Sequence, residues 1–427
     1  MTTGTPQAQL PALTAADVDE AAARLRGVAV TTPLQPSERL SQATGWRVYL
    51  KREDLQPVRS YKLRGAFNLM AQLTEAERAA GVVCASAGNH AQGVAFASSR
   101  LGVKARIYLP RPTPRQKRDR IAVHGGDLVE LILTGDTYDD AAHAATADAR
   151  TSGAVLVPPF DDPRTMAGQG TVAAEILAGL PEPPDAMVVP VGGGGLMAGT
   201  AAFLRERAPS AQLVGAEPAG AASLTAALTG GGPITLDTID PFVDGAAVRR
   251  VGDQTYQVIA SGPSQLTTVD EGAVCTEMLA LYHNEGIIAE PAGALATAAL
   301  YLADPPPRLR PGAVVVAVVT GGNNDISRYG EIIERSLVHS GLKHYFLVEF
   351  AQQPGALRRF LDEVLGPDDD ITLFEYVKRN NRETGPALVG IELGSTSGLE
   401  PLLARMKASP MRIEQISPGS PAYTYLT

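Results

Sequence analysis

CASAGNHAQGVAFASSRLG at Cys84–Gly102, followed without a break by VKARIYL at Val103–Leu109, decides the fold class. The strand-like run GVVCA ends in small residues, an alanine-rich stretch at helical spacing follows, Gly102 closes it, and a second apolar run begins. The same alternation extends from Val48 to Val319, with further buried strands predicted at Ala154–Val157, Ala186–Val191, Leu213–Ala216 and Ala313–Val319. Helices packed on open parallel sheets, an α/β class, account for this texture. Ligands in such folds gather at the carboxyl ends of strands.

Near Ser336–Lys343 the texture changes to the strand-like HYFLVEF. From there the chain reads strand, helix (Gly355–Leu365), strand (Ile371–Val377), strand (Ala387–Leu393), helix (Ser397–Lys407), strand (Arg412–Ile416), the βαββαβ order of a ferredoxin-like α+β module.

The 427 residues suffice for two or three compact units, and 44% hydrophobic with 19% charged residues is the balance of a folded chain. A net charge of -9 works against nucleic acid as a partner. The basic stretch RPTPRQKRDR at Arg111–Arg120 reads as the solvated first turns of a helix after Thr113, with an anion-contacting face as the alternative. Cys84 and Cys275 offer no disulfide framework and no metal-site spacing, which fits the reducing cytoplasm. The longest purely apolar run, Ala313–Val319, falls far short of the ~18 residues that span a bilayer, so neither secretion nor a membrane is expected.

Four segments carry candidate chemistry. Lys62, in SYKLRGA (Ser60–Ala66), is either a solvated first-turn lysine or a reactive amine. SAGNHAQG (Ser86–Gly93) puts small residues and free N–H groups at a helix start, suited to a carboxylate or to nothing more than a tight turn. Gly192, Gly193, Gly194 and Gly195, before Leu196, follow the apolar strand MVVPV; without the ending of an NTP-binding loop or a dinucleotide fingerprint, they suit a lone phosphate. Thr320, opening TGGNN after AVVVAVV, places a hydroxyl at a strand's carboxyl end, to cap a turn or to meet a heterocyclic nitrogen. Together they are what an aldehyde cofactor with one phosphate needs.

With these segments the sequence resembles the fold-type II pyridoxal-phosphate enzymes and, within them, the biosynthetic threonine dehydratases. SYKLRGA, SAGNHAQG, VGGGGL, EPAGA (Glu290–Ala294) and TGGNND (Thr320–Asp325) occur in family order and spacing over nearly the whole chain. The resemblance implies a catalytic domain over 1–336, made of two open twisted parallel-sheet subdomains with the smaller (about 60–150) inserted in the larger, and an ACT-like regulatory domain over 342–427. It implies that Lys62 carries pyridoxal phosphate covalently, that Asn89 bonds the cofactor's 3-oxygen, that Gly192–Leu196 hold its phosphate by backbone amides, and that Thr320, where many members have serine, meets the ring nitrogen. Ser86, Ala87, Gly88, Asn89 and His90 are expected around the substrate carboxylate.

The implied reaction converts L-threonine to 2-oxobutanoate and ammonia, the first step of isoleucine biosynthesis. Alternatives are a serine-preferring dehydratase or a catalytically silent amino-acid sensor. Similar serine racemases have a second serine where Ala87 stands. They, like some degradative dehydratases, bind a divalent cation through a glutamate and an aspartate six residues on; here Ser223 follows Glu217 at that distance, so no metal is expected. The module's turn Gln352–Leu357 is where isoleucine would bind as effector, the alternative being a module that serves only dimerisation or structure; the protein is expected to be a homo-oligomer, tetramer or dimer.

Overall fold

The computed structural model describes residues 13–302, 308–378, 382–417, 420 and 423. They divide into two compact units: the described residues up to Glu271 with Ala280–Asn324, and Gly272–Leu279 with the described residues from Asp325 onward.

The first unit holds two sheets. In the smaller, Val129–Leu133, Ala105–Leu109, Val82–Ala85 and Val155–Leu156 lie side by side, all parallel. The helix Asn89–Leu101 links Val82–Ala85 to Ala105–Leu109, as the opening stretch of sequence predicts. Val82, Cys84, Val94, Ile107 and Leu109 form one buried cluster there.

The larger sheet runs Leu34–Pro36, Arg47–Arg52, Val314–Val319, Ala186–Pro190, Gln212–Pro218, Gln265–Val269. Every neighbouring pair is parallel except the first, Leu34–Pro36 with Arg47–Arg52, which is antiparallel. The expected purely parallel sheet is therefore mixed at one edge. The connection from Ser37 to Trp46 is too short for a parallel crossover, and an edge strand tolerates Pro36.

A buried ion cluster pins the helix Lys62–Ala71 in this unit. Arg64, 1% exposed, makes a two-pronged contact with Glu53 at 2.8 Å on each arm and a 2.7 Å bond to Glu175. Lys51 reaches the other oxygen of Glu175 at 2.6 Å, and the Thr32 hydroxyl donates to Glu53 at 2.6 Å. Two cations thus face two carboxylates, with Glu175 partly open to solvent and the other three buried, the pairing under which buried charge is tolerable. At ~100° per residue, Arg64 and Lys62 leave the helix on nearly opposite sides. Anchoring Arg64 aims Lys62 the other way.

In the second unit the strands Lys343–Ala351, Asp369–Tyr376, Thr384–Leu393 and Arg412–Ile416 and the helices Ala356–Glu363 and Leu399–Ala408 follow the expected βαββαβ order. The sheet is antiparallel, ordered Asp369–Tyr376, Thr384–Leu393, Lys343–Ala351, Arg412–Ile416. Phe346, Val348 and Phe350 point into the core with Phe360, Val389 and Leu402, whereas Leu347 between them is exposed, the period-2 pattern of a one-sided sheet. The helix Tyr329–His339 groups with this unit, and its Ser336 hydroxyl lies 3.0 Å from that of Thr276. Among the described residues no helix is long and apolar enough to cross a membrane.

Candidate active site

Lys62 opens its helix directly after Ser60, which bridges Gly321, and Tyr61, whose N–H donates to the Thr320 carbonyl at 3.2 Å. The turn before it is tight: Arg59, at φ 55°, is the one non-glycine residue with positive φ among those described, a conformation costing about 1 kcal/mol or more. The partly buried Lys62 amine donates to the Pro159 carbonyl at 3.1 Å. Burial pulls its pKa down to about 8, against the opposing pull of the Glu290 carboxylate.

The next residue after Pro159 joins this amine to the glycine run. A Cβ on Gly193 would lie 2.2 Å from the Phe160 ring, so the loop and the aromatic ring meet as closely as a bare backbone allows. Gly194, at φ +91°, takes a left-handed turn into the helix Gly195–Arg207, whose first-turn N–H groups have no carbonyl within the helix. The loop is held by the Thr255 hydroxyl, which donates to the Gly193 carbonyl at 2.8 Å, while Asp161 caps Thr255's own helix at the Gln254 and Thr255 N–H groups. Gly192, Gly193, Gly194, Gly195 and Leu196 thus stand at a strand end beside Lys62, a frame for one phosphate.

Thr320 follows the strand Val314–Val319 and is 2% exposed; its hydroxyl donates to the Ala292 carbonyl at 3.1 Å. The Ser60 hydroxyl, buried two residues from Lys62, has no partner among the described residues.

In the Ser86–His90 turn, the Gly88 N–H donates to the Ser86 hydroxyl at 3.2 Å, and Asn89 begins the helix. His90 is 3% exposed with Nε2 2.8 Å from the Val157 carbonyl. A carbonyl only accepts, so Nε2 carries the proton and Nδ1, buried with no partner among the described residues, is a bare acceptor. A neutral ring of this tautomer has no proton to offer a carboxylate. What His90 can contribute to an anion is its backbone N–H at the helix start.

Burial, and next the Lys62 charge, push the His90 pKa down to about 3. The unfolded chain therefore binds a proton at His90 below pH 6.5 that the folded chain refuses, so stability contributed by the neutral ring falls as pH drops from 6.5 toward 3. The expected slope is up to about 1.4 kcal/mol per pH unit. Urea unfolding between pH 4.5 and 6.5, followed by the single tryptophan, Trp46, in the first unit, should lose that share of its pH dependence in His90→Gln. An unchanged slope would mean that the ring is hydrated or charged in the fold.

Three groups at the site went unread in the sequence. Glu290, noted only as part of EPAGA, is 4% exposed and accepts from Asn89 Nδ2 at 2.5 Å; burial lifts its pKa to about 7. Asn323 donates to Asn89 at 2.8 Å. Val157–Asp161 gives carbonyls to His90 and Lys62, the Phe160 ring to Gly193, and the Asp161 cap. Glu217 instead accepts from Leu224 N, Thr225 N and the Thr225 hydroxyl at 2.6–2.9 Å, capping the helix Ser223–Gly230.

An amine of lowered pKa, a glycine-lined frame for an anion, an amide and a strand-end hydroxyl converge here, and they fit an aldehyde cofactor with one phosphate. Residues 26–321 match the family model described as pyridoxal-phosphate dependent enzyme, and residues 334–426 match the one described as C-terminal regulatory domain of threonine dehydratase. The chain is 64% identical over 416 residues to a biosynthetic L-threonine dehydratase of Mycobacterium tuberculosis, covering 97% of this chain and 96% of that one. Among solved structures it resembles the processed form of threonine deaminase isoform 2 from Solanum lycopersicum (TM-score 0.71, 35% identity, 79% of this chain and 94% of that one). It also resembles a maize serine racemase (TM-score 0.71, 30% identity, 77% and 99%).

Proposed function

The chain belongs to the pyridoxal-phosphate dependent enzyme family and carries the C-terminal regulatory domain of threonine dehydratase, and from that premise we propose how its residues work. The enzyme is an L-threonine ammonia-lyase that forms 2-oxobutanoate and ammonia, the first step of isoleucine biosynthesis. Its cofactor is pyridoxal phosphate, which when bound draws electrons from the substrate and acidifies the Cα–H bond.

Lys62 would hold the cofactor through its amine and, when that amine is free, would take the substrate's α-proton. A pKa near 8 leaves a usable neutral fraction at physiological pH. The β-hydroxyl leaves with a proton as water, and the enamine released hydrolyses to the oxo acid and ammonia. Backbone N–H groups at the start of the helix Asn89–Leu101 hold the substrate carboxylate, with Ser86, Ala87 and Gly88 shaping the approach. Gly192–Leu196 would hold the phosphate, and Asn89 would bond the 3-oxygen.

Thr320 would meet the ring nitrogen. As a donor there it must give up its bond to the Ala292 carbonyl, because a hydroxyl has one proton. A neutral hydroxyl does not hold the ring protonated as a carboxylate would, which favours prompt elimination. Ala87 has no hydroxyl to deliver a proton from the opposite face, so racemisation is not the main activity.

In the regulatory module, the turn Gln352–Leu357 leads into the helix Ala356–Glu363, with Gln352 anchored to the Arg382 and Thr384 carbonyls at 2.8 and 3.1 Å. Isoleucine binds there as feedback effector in a cytoplasmic homo-oligomer, tetramer or dimer. What supports the whole reading is the Lys62 amine, lowered to about 8 and joined through Pro159 and Phe160 to the glycine loop.

The test is oxo-acid formation by the purified yellow protein. L-Threonine should turn over faster than L-serine, and isoleucine should inhibit. Faster serine turnover would move the assignment to a serine dehydratase, and a colourless protein inert to both would leave an amino-acid sensor.

A further inference from the structure

Asn323 lies outside every role given so far, yet its side chain touches Asn89. Its Nδ2 is 2.8 Å from the Val58 carbonyl and 2.8 Å from Asn89 Oδ1, and Asn89 Nδ2 is 2.5 Å from Glu290 Oε1. The backbone N–H of Asn323 also donates to the Glu290 carboxylate. Val58 is fully buried and Glu290 nearly so.

These contacts leave no freedom in how the two amides are turned. The Val58 carbonyl can only accept, so the Asn323 group facing it is the NH2. Both protons of that NH2 are then committed, one to Val58 and one to Asn89, so the Asn89 atom facing Asn323 is its oxygen. The Asn89 NH2 is left pointing away, with one proton on Glu290 and one uncommitted. Gly321 makes room for this, since a Cβ there would lie 2.2 Å from Glu290 Oε1.

We propose that Asn323 is a positioning residue that fixes the Asn89 amide as a hydrogen-bond donor toward the 3-oxygen of bound pyridoxal phosphate. The inference rests on the cofactor reading of the site. Without Asn323 nothing fixes the Asn89 oxygen on the far side, and the amide is free to turn that oxygen toward the anionic cofactor oxygen. Glu290 alone does not prevent this, because a carboxyl group titrating near pH 7 can accept from the NH2 or donate to the oxygen.

The test is cofactor titration of the stripped full-length protein, read by the visible band, for wild type, Asn323→Ala, Asn89→Ala and the double variant. Asn323→Ala should weaken cofactor binding about ten- to a hundredfold, the worth of a hydrogen bond to a charged group. Its band should move in the same direction as that of Asn89→Ala. Because Asn323 acts through Asn89, the double variant should bind within about twofold of Asn89→Ala, where independent effects would multiply.

Asn323→Asp, similar in size but offering only acceptors, should behave like Asn323→Ala; it serves the same comparison if the alanine variant does not fold, with Trp46 fluorescence of the stripped protein as the check. Multiplying losses, or Asn323→Ala matching wild type in affinity and band, would overturn the proposal. A wild type that forms no band with pyridoxal phosphate would overturn the cofactor reading with it.

Discussion

Lys62→Ala should fold, form no visible band with pyridoxal phosphate, and make 2-oxobutanoate at least about 10⁴-fold more slowly than wild type, because on the proposed reading one substitution removes both the covalent anchor and the base. The loss is not a folding defect. In the stripped protein Lys62 makes one hydrogen bond, to Pro159, and its pKa near 8 records that burial disfavours its charged form. Against an ordinary value of 10.5, the charged amine is strained in the fold at neutral pH, and each pKa unit corresponds to about 1.4 kcal/mol. Removing it should leave the thermal midpoint of the stripped protein unchanged or raised, the trade expected where a site is built for function. Oxo-acid assays, absorbance and Trp46-monitored melting decide this. Activity within tenfold of wild type would assign the chemistry to another amine.

Arg64→Met, two residues away, should do the opposite. It leaves the Lys62 amine in place and destabilises the first unit by about 3–5 kcal/mol, the usual result of deleting one partner of a buried pair. Glu53 is 0% exposed, and the Arg64 guanidinium is what holds its carboxyl below the ordinary range against burial. With Arg64 gone, Glu53 must take up a proton or stay charged with Lys51 alone to offset it. Adding Glu53→Gln should recover part of the loss. Urea midpoints read at Trp46 measure both, and a loss below about 1 kcal/mol would mean that water reaches the cluster and screens it.

The two residues also mark where the sequence was readable. Lys62 was legible as a candidate because the pattern around it is local: a lysine at a helix start, followed in order by a turn of small residues, four glycines and a strand-end threonine. The buried strands were legible for a similar reason, since Val314–Val319 and Ala186–Pro190 are apolar on both faces. Leu34–Pro36 and Gln265–Val269 were not, because edge strands with half-exposed, polar residues carry no such run.

Pro159 and Val157 act through carbonyl oxygens, which every residue has, so no side chain announces them. The His90 tautomer and the Asn89 amide depend on what lies opposite, in Val157 and Asn323, dozens to hundreds of residues away. The motif resemblance put these side chains forward as site candidates, but it could not say which of their atoms carried the proton.

The strand Val314–Val319 lies between Arg47–Arg52 and Ala186–Pro190 in the larger sheet, while the smaller sheet is complete by Leu156. During synthesis the smaller sheet can therefore close from neighbouring segments while the chain is still growing. The larger one must keep an apolar slot open until nearly three quarters of the chain has emerged, since 319 of 427 residues precede its closure. Sequence-distant pairings of this kind are slow to form. The larger sheet, with the proposed site at its strand ends, is therefore completed late, and its apolar edges stay open until then.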